Sequence, residues 1–378
     1  MEPNAKRRKR KWILRREDQE YFDYTLLFII LFLVCFGLVM IYSTSSYTAN
    51  IKLGKPAYYL MRQGVFGAGG IVAMLLVSKI DYHRLFRYRK PFLFVCLVLL
   101  LVVLFQGEIK GASRWISLGP ISFQPSEIAK MAIIIYMAGV TSSKYKEMQN
   151  LLQMYFKSLP VIIAIAMIAK ENLSTGIVCA AIWFIIVLVV CSRTMPVLIS
   201  GCTLATAAGF IFIKMSGKGY REERFKIWKN PEQHEKGYQT MQALYAIGSG
   251  GLFGKGLGQS VQKLGFIPES HNDMIFSVIC EELGLFGAIC IIGMFLFLIT
   301  RLIDIAIKAP DLGGSIIAVG VLVHIAVQVL INIAVVTNSI PPTGVTLPFI
   351  SYGGTSLVFL LIEMGLVLGV SRQIKMKR

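Results

Sequence analysis

The chain has 378 residues, of which 55% are hydrophobic and 16% are charged, and its mean hydropathy is +0.64. Soluble domains carry about 25% charged residues, so this composition excludes a soluble globular protein and indicates a polytopic membrane protein. Lysine and arginine exceed aspartate and glutamate by 39 − 21 = 18. In a membrane protein this excess predicts basic cytoplasmic loops against anionic lipid, and no nucleic-acid partner.

A basic tail precedes a series of ten apolar segments. The tail, residues 1–22, contains KRRKRK and is expected to lie in the cytoplasm. The apolar segments lie at about 25–44, 59–79, 90–106, 125–142, 157–170, 173–192, 194–214, 273–300, 313–336 and 350–370. A helix crosses the hydrocarbon with about 20 residues. We therefore predict an all-α fold with a ten-helix membrane domain over 23–370 and a cytoplasmic C-terminal tail over 371–378.

The basic residues are consistent with both termini in the cytoplasm. This orientation places the following residues in cytoplasmic loops or the C-terminal tail: Arg84, Arg87, Arg89, Lys90, Lys144, Lys146, Arg193, Arg301, Lys308, Arg372, Lys375, Lys377 and Arg378. One segment departs from the pattern. Residues 215–272, a large extracellular loop between helices 7 and 8, carry several cations, which we expect to face an anionic ligand such as a diphosphate.

The same loop contains the glycine-rich sequence AIGSGGLFGKGLGQS. Glycine lets a backbone turn sharply or approach a ligand closely, although an ordinary flexible surface loop is the alternative. The seven cysteines all fall in or beside apolar segments and none has metal-ligand spacing. We therefore predict neither a disulfide framework nor a zinc site.

A single carboxylate, Asp273, stands where this loop enters the eighth apolar segment. An acid at such a junction is costly to hold and is a candidate functional residue. The alternative is a role as a helix N-cap, for which both Asn272 and Asp273 are suitable residue types. His271 beside them is a hydrogen-bonding neighbour more often than a metal ligand, because no spaced companion accompanies it.

Other polar residues interrupt the apolar segments. Glu127 and Lys130 are three residues apart and can pair on one helix face, as a structural ion pair or as part of a site. The ninth segment carries a stripe at every fourth position and the tenth carries one glutamate: His324, Gln328, Asn332 and Glu363. Hydrogen bonding between helices and the lining of a substrate path are both open for these.

Four motifs in order give the chain a resemblance to a known family. GASRWISLGPISFQPSE, AIGSGGLFGKGLGQSVQK, PESHNDMIFSVICEELG and PPTGVTLPFISYGGTS resemble those of the SEDS (shape, elongation, division and sporulation) family, and the resemblance spans about 25–370. The form of the second motif is more similar to the FtsW and SpoVE branch than to the RodA branch.

The resemblance implies a peptidoglycan glycosyltransferase of the bacterial cytoplasmic membrane that polymerises lipid II at the outer face. It implies as partners the lipid-linked glycan strand, a class B penicillin-binding protein and other division proteins. Asp273 matches the family's essential aspartate. The matching motif residues are predicted to bind substrate: Arg114, Trp115, Glu127, Lys130, Lys255, Lys263, His271, Glu281, Ser351 and Thr355. The family's Gln-Pro-Asp-Leu-Gly-Thr is KENLST at 170–175 here, so no proton-transfer role is assigned there.

The implied chemistry needs one base. Diphosphate is already a good leaving group, so a carboxylate that takes the proton of the attacking 4-hydroxyl suffices for transfer with inversion. Cations must meet the leaving charge, and the sequence leaves open whether Arg114, Lys130, the basic loop or a bound Mg²⁺ or Mn²⁺ provides them. A lipid II flippase and a non-catalytic scaffold of the division machinery are the alternative functions.

Overall fold

The computed structural model describes residues 21–105, 116–118, 121–192, 194–215 and 226–375. The helices are, in chain order, α1 (Tyr24–Leu53), α2 (Tyr58–Val77), α3 (Tyr82–Arg87), α4 (Arg89–Phe105), α5 (Pro125–Ser143), α6 (Tyr145–Met148), α7 (Leu151–Glu171), α8 (Leu173–Val190), α9 (Thr194–Met215), α10 (Tyr238–Ser249), α11 (Ile275–Lys308), α12 (Leu312–Val336) and α13 (Thr355–Arg372). An antiparallel hairpin, β1 (Ile116–Leu118) and β2 (Ile121–Phe123), precedes α5.

Seven of the described helices are long and apolar enough to cross a membrane: α1, α2, α7, α8, α11, α12 and α13. The helices α4, α5 and α9 also coincide with predicted segments, but α4 has only 17 residues and α5 carries Glu127 and Lys130 near its start. The fold is therefore helical and polytopic, as predicted, with a short hairpin that the sequence did not suggest.

Helix α5 lies at the centre of the bundle. Every residue from Ala129 to Thr141 is buried, so α5 presents no face to lipid. Helix α12 packs against α5, α8, α11 and α13. Small residues bring α13 close to α2, since a Cβ on Gly365 would lie 2.6 Å from the Met74 carbonyl oxygen.

Part of the predicted loop at 215–272 is ordered against α11 and does not extend away from the bundle. Helix α11 is broken at Gly284, where φ is 69° and ψ is −168°. The glycine-rich segment fills the break: the amides of Leu285 and Phe286 donate to the carbonyls of Gly251 and Leu252 at 2.9 and 3.0 Å. Backbone groups freed by the break thus find hydrogen-bond partners in the glycine-rich segment. The glycines therefore allow this segment to pack closely against the backbone of α11.

At one end of the bundle, side chains tie the helix ends together. Asp23 caps α1 and pairs with Arg301 of α11 at 2.5 Å. His83 bridges Asp81 at 2.7 Å and Asp311, the cap of α12, at 2.8 Å. The starts of α1 and α12 therefore meet the later part of α11 and the loop between α2 and α3.

Candidate functional site

A cavity of about 500 Å³ opens where the starts of α5, α8 and α13 meet the segment before α11. Described residues from seven parts of the chain line it: Arg62, Phe66, Ser122, Gln124, Glu127, Lys130, Asn172, Thr175, Val178, Glu269, Asn272, Asp273, Gln328, Gly344, Val345, Thr346, Tyr352, Gly353, Gly354, Thr355 and Ser356. Of the predicted site residues, Asp273, Glu127, Lys130 and Thr355 are brought together here.

Asp273 is half-buried in the cavity wall, one residue before Met274, which occupies the N-cap position of α11. The capping role therefore does not fall on Asp273 or Asn272. Burial raises the pKa of Asp273 to about 6; its own amide and that of Met274 act to lower it, and the charge of Glu269 adds to the rise. Asn332 fixes the backbone here by donating to the Asp273 carbonyl at 2.8 Å. A carboxylate so tuned is ionised near neutral pH and can still accept a proton.

Glu127 and Lys130 form the ion pair that their spacing allows, with Nζ 2.9 Å from Oε1. The Ser356 hydroxyl donates to the other carboxylate oxygen of Glu127 at 2.8 Å. Both carboxylate oxygens of Glu127 thus have partners, so Glu127 is suited to hold the Lys130 ammonium in place. The Lys130 side chain is 97% buried, and Lys130 lines the cavity.

Three helix N-termini point toward the cavity. Gln124, Asn172 and Gly354 are the N-cap residues of α5, α8 and α13, and all three lie in its wall. Helix N-termini carry partial positive charge and favour anions. Together with Lys130 and Arg62 they offset the carboxylates in the same wall.

His271 and Ser351 lie near this site but do not line it. The His271 ring is buried between Tyr59 and Tyr352, with centroids 4.5 and 5.6 Å away. Burial lowers the pKa of His271, so it is neutral at neutral pH. The Ser351 hydroxyl accepts from the Leu347 amide at 2.8 Å and shapes the loop before α13.

Glu281, Lys255 and Lys263 form a separate cluster, in which Glu281 and Lys263 are buried and Lys255 is exposed. Lys255 Nζ lies 2.7 Å from Glu281, and Lys263 Nζ lies 2.7 Å from Glu282, which also accepts from Ser43. Ser260 donates to Glu281 as well. These pairs fasten the glycine-rich segment to α11. Substrate binding by Glu281, Lys255 and Lys263 stays a prediction, and their contacts favour an architectural role.

Arg114 and Trp115 lie outside the described residues. The hairpin that follows them is held at the cavity, because Thr355 donates to the Ser122 carbonyl at 3.1 Å. Four lining residues were not among the predicted site residues: Arg62, Asn172, Glu269 and Tyr352. Arg62 had a signal, since it is a charge inside an apolar segment. Glu269 and Tyr352 stand inside two of the quoted motifs, but only the folded chain shows that their loops meet.

A divalent ion held by side chains alone does not fit the described residues. No three His, Cys, Asp or Glu side chains in that part of the chain gather around a common point. Glu127 is already committed to Lys130 and Ser356.

Comparison with known proteins agrees with the architecture. Residues 24–376 match the family model FTSW_RODA_SPOVE, described as "Cell cycle protein". The "Probable peptidoglycan glycosyltransferase FtsW" of Trichlorobacter lovleyi is 40% identical, covering 94% of each chain. The "Stage V sporulation protein E" of Bacillus subtilis is 39% identical, covering 93% of this chain and 97% of that one.

Two solved structures share the fold. A chain in a structure described as "Structural coordination of polymerization and crosslinking by a peptidoglycan synthase complex" superposes with a TM-score of 0.79 at 27% identity, covering 94% of this chain and 99% of that one. The rod shape determining protein RodA of Thermus thermophilus gives 0.68 at 27% identity, covering 94% and 98%. The family match over nearly the whole chain, together with these relatives, shows that the chain belongs to the FtsW/RodA/SpoVE family of cell cycle proteins.

Proposed function

We propose that the chain is a peptidoglycan glycosyltransferase that polymerises lipid II at the outer face of the bacterial cytoplasmic membrane, in division or sporulation. Its family and the names of its relatives support this activity. The observation that carries the mechanism is the cavity, which sets the tuned carboxylate Asp273 in one wall with the cations Arg62 and Lys130.

Asp273 acts as the general base. It takes the proton of the acceptor's 4-hydroxyl as that oxygen attacks the anomeric carbon of the donor. The new glycosidic bond forms as the bond from that carbon to the diphosphate breaks, which inverts the centre. Such base catalysis contributes typically about 10²–10⁴-fold. The α11 start and the Asn332 hydrogen bond hold the base in place.

The leaving diphosphate is met by Lys130 and Arg62. Among the described residues, Lys130 has Glu127 and Gln328 as partners, which use two of its three N–H groups. The third can contact an anion in the cavity. The N-termini of α5, α8 and α13 add fixed positive potential where the negative charge develops.

Ten spans with both termini in the cytoplasm account for the described contacts. This count puts the ends that meet in the cavity, the starts of α5, α8, α11 and α13, on the outside. It puts Asp23, Asp81, Asp311 and Gln373 on the inside. There Asp23 pairs with Arg301, Gln373 donates to Asp81, and His83 bridges Asp81 and Asp311. Residues 215–272 then lie outside, with their glycine-rich part folded against α11. The 23–370 membrane domain and its two flanking tails remain part of this proposal.

A class B penicillin-binding protein, working within the division machinery, is the proposed partner. The similarity to a chain of a peptidoglycan synthase complex, described by its coordination of polymerisation and crosslinking, supports this assignment. The partner would cross-link the strands that this chain makes.

The test is polymerisation of labelled lipid II by the purified chain with its candidate partner in vesicles, with strands separated by size. We expect long strands, made from lipid II supplied at the face where the cavity opens. Absence of strands together with movement of intact lipid II between leaflets would instead identify a flippase. Absence of both, with partner binding retained, would identify a scaffold.

A further inference from the structure

A line of hydrogen bonds runs from the cavity into the bundle interior. Lys130 of α5 donates to Gln328 Oε1 of α12 at 3.4 Å, and His324 Nε2, one turn away on α12, lies 2.9 Å from the same oxygen. His324 Nδ1 lies 2.6 Å from Glu363 Oε2 of α13. Three central helices are thereby joined through one buried polar chain.

The orientation of the Gln328 amide follows from its neighbours. Its Nε2 donates to the Thr346 carbonyl at 3.0 Å, so Oε1 faces the interior. Lys130 can only donate, which also requires oxygen at that position. The His324 nitrogen that faces Oε1 must therefore carry a hydrogen. Glu363 then holds the other ring nitrogen and fixes the ring in this orientation.

Burying this line of hydrogen-bonded side chains costs folding free energy. His324 is 2% exposed and Glu363 is 1% exposed, and Oε1 of Glu363 has no hydrogen-bond partner among the described residues. A buried polar group without compensation costs stability, and apolar side chains would fill these positions at less cost. Simple packing of α12 on α13 does not account for two ionisable groups here.

Lysine has a flexible side chain that needs holding if its charge is to meet a ligand at one point. Glu127 holds the Lys130 ammonium from one side and Gln328 from the other. Without a donor at His324, only Lys130 and the Thr346 carbonyl would hold the Gln328 amide, so its oxygen could move with the Lys130 side chain. Gln328 would then restrain the Lys130 ammonium less than it does in the wild type.

We propose that His324 and Glu363 are positioning residues for Lys130. Glu363 fixes the His324 ring, His324 fixes the Gln328 oxygen, and Gln328 holds the ammonium where it meets the leaving diphosphate. This inference rests on the proposed function for the role of Lys130, while the positioning itself is a property of the fold.

Two matched double variants separate positioning from packing. In His324→Gln/Glu363→Gln the new amide nitrogen at 324 has the same reach from the backbone as Nε2, so it can donate to Gln328. In His324→Asn/Glu363→Gln the amide is one atom shorter and cannot reach. Both variants are uncharged and polar, and they differ by one methylene group, which decides whether the amide at 324 reaches Gln328. A third variant, His324→Leu/Glu363→Leu, removes all the polar groups.

Thermal unfolding first identifies the variants that purify as folded proteins. For each of these, kcat and KM are measured for lipid II polymerisation, and the acetylation rate of Lys130 is measured by mass spectrometry. We expect the Asn/Gln and Leu/Leu variants to lose about 10- to 100-fold in kcat with little change in KM, because misplacing a charge acts on the transition state. Lys130 acetylation should rise in both. The Gln/Gln variant should stay within about threefold of wild type in both quantities.

Equal kcat and equal Lys130 acetylation in the Asn/Gln and Gln/Gln variants would overturn the inference and leave the line as packing. If Leu/Leu does not fold, the Asn/Gln and Gln/Gln pair makes the same comparison. Failure of the wild type to polymerise would count against the proposed function, and the Lys130 acetylation rates would still decide the positioning.

Discussion

At the residue scale, the proposed chemistry depends on how one carboxylate is held. Asp273 lies half-buried between α11 and the loop containing Gly344, whose φ of +68° favours glycine. A Cβ on Gly344 would lie 3.9 Å from Asp273 Oδ2. Burial lowers the solvation of the carboxylate, and no ion pair with Asp273 is present among the described residues. This combination raises the pKa of a carboxyl group.

The pH dependence of polymerisation should follow Asp273. Because the deprotonated form is the base, activity should fall as the pH drops through about 6, the raised pKa of Asp273. In Glu269→Gln the acid limb of the kcat profile should move to lower pH, because the neighbouring negative charge that contributes to the rise is gone. A limb that stays in place, or that moves to higher pH, would contradict the assignment.

Asp273 was predictable from the sequence because a charge at the edge of an apolar segment is rare and costly. The assignment of Lys255, Lys263 and Glu281 to substrate binding followed from motif position alone. The structure pairs these residues with one another or with Glu282, about two helical turns beyond Asp273 on α11. The sequence spacing predicted the distance between Asp273 and Glu281. It could not reveal which side chains of the folded loop contact the glutamates of α11.

At the element scale, the helices follow from apolar runs of sufficient length and from their caps. Asn172, Asp311 and Asp23 each accept hydrogen bonds from the first turn of the helix that follows. The glycine-rich segment was not predictable in this way. Its conformation depends on backbone partners in α11 about thirty residues later, and no local pattern encodes that pairing.

Glycine is required where this segment meets α11. In Gly254→Ala the new Cβ would collide with the Glu282 carbonyl, at a φ of +77°. We expect a loss of about 2 kcal/mol or more in the free energy of unfolding, measured by denaturant titration in detergent. The matched control is Gly248→Ala on α10, where a Cβ meets nothing within 4 Å and alanine should be neutral or stabilising. Equal stability of the two variants would show that the segment does not dock on α11.

The bridge from His83 to Asp81 and Asp311 should make stability depend on pH. Burial acts to lower the pKa of His83, but the hydrogen bond to Asp81 and the charge of Asp311 raise it above its usual 6.5. The protonated form is thus bound more tightly in the folded state. Its contribution is fully present below about 6.5 and is lost as pH rises through the folded-state pKa.

Thermal unfolding between about pH 6 and about pH 9 measures this contribution. The wild type should lose stability as the pH rises, and His83→Gln should lose most of that dependence. His234→Gln, a histidine in a distant turn, is the control and should behave as the wild type. A pH dependence that survives in His83→Gln would rule out this bridge as its source.

At the scale of the whole molecule, the bundle gathers reactive groups at one end and tying ion pairs at the other. The cavity collects residues from α2, the hairpin, α5, α8, the loop before α11, α12 and the loop before α13. The helical, multi-pass class was predictable because the length of the apolar segments carries that information. The cavity was not, because it arises from contacts between segments far apart in sequence.

The proposed orientation can be tested with single cysteines. Lys55→Cys, between α1 and α2, should react with a membrane-impermeant maleimide on intact cells. Lys308→Cys, at the end of α11, should react only after permeabilisation. The parent for both is a chain in which the native cysteines are replaced by alanine or serine. The reverse pattern, or labelling of both from outside, would contradict ten spans with cytoplasmic termini.

Asp273 is the proposed base of a lipid II polymerase. The most direct test of this role compares Asp273→Asn with wild type and with Glu269→Gln in the vesicle polymerisation assay, at equal amounts of assembled complex. The asparagine keeps the shape but cannot take a proton, so we expect polymer from wild type and Glu269→Gln and a loss of at least about 10²-fold in Asp273→Asn. Equal polymer from wild type and Asp273→Asn would place the chemistry elsewhere in the molecule.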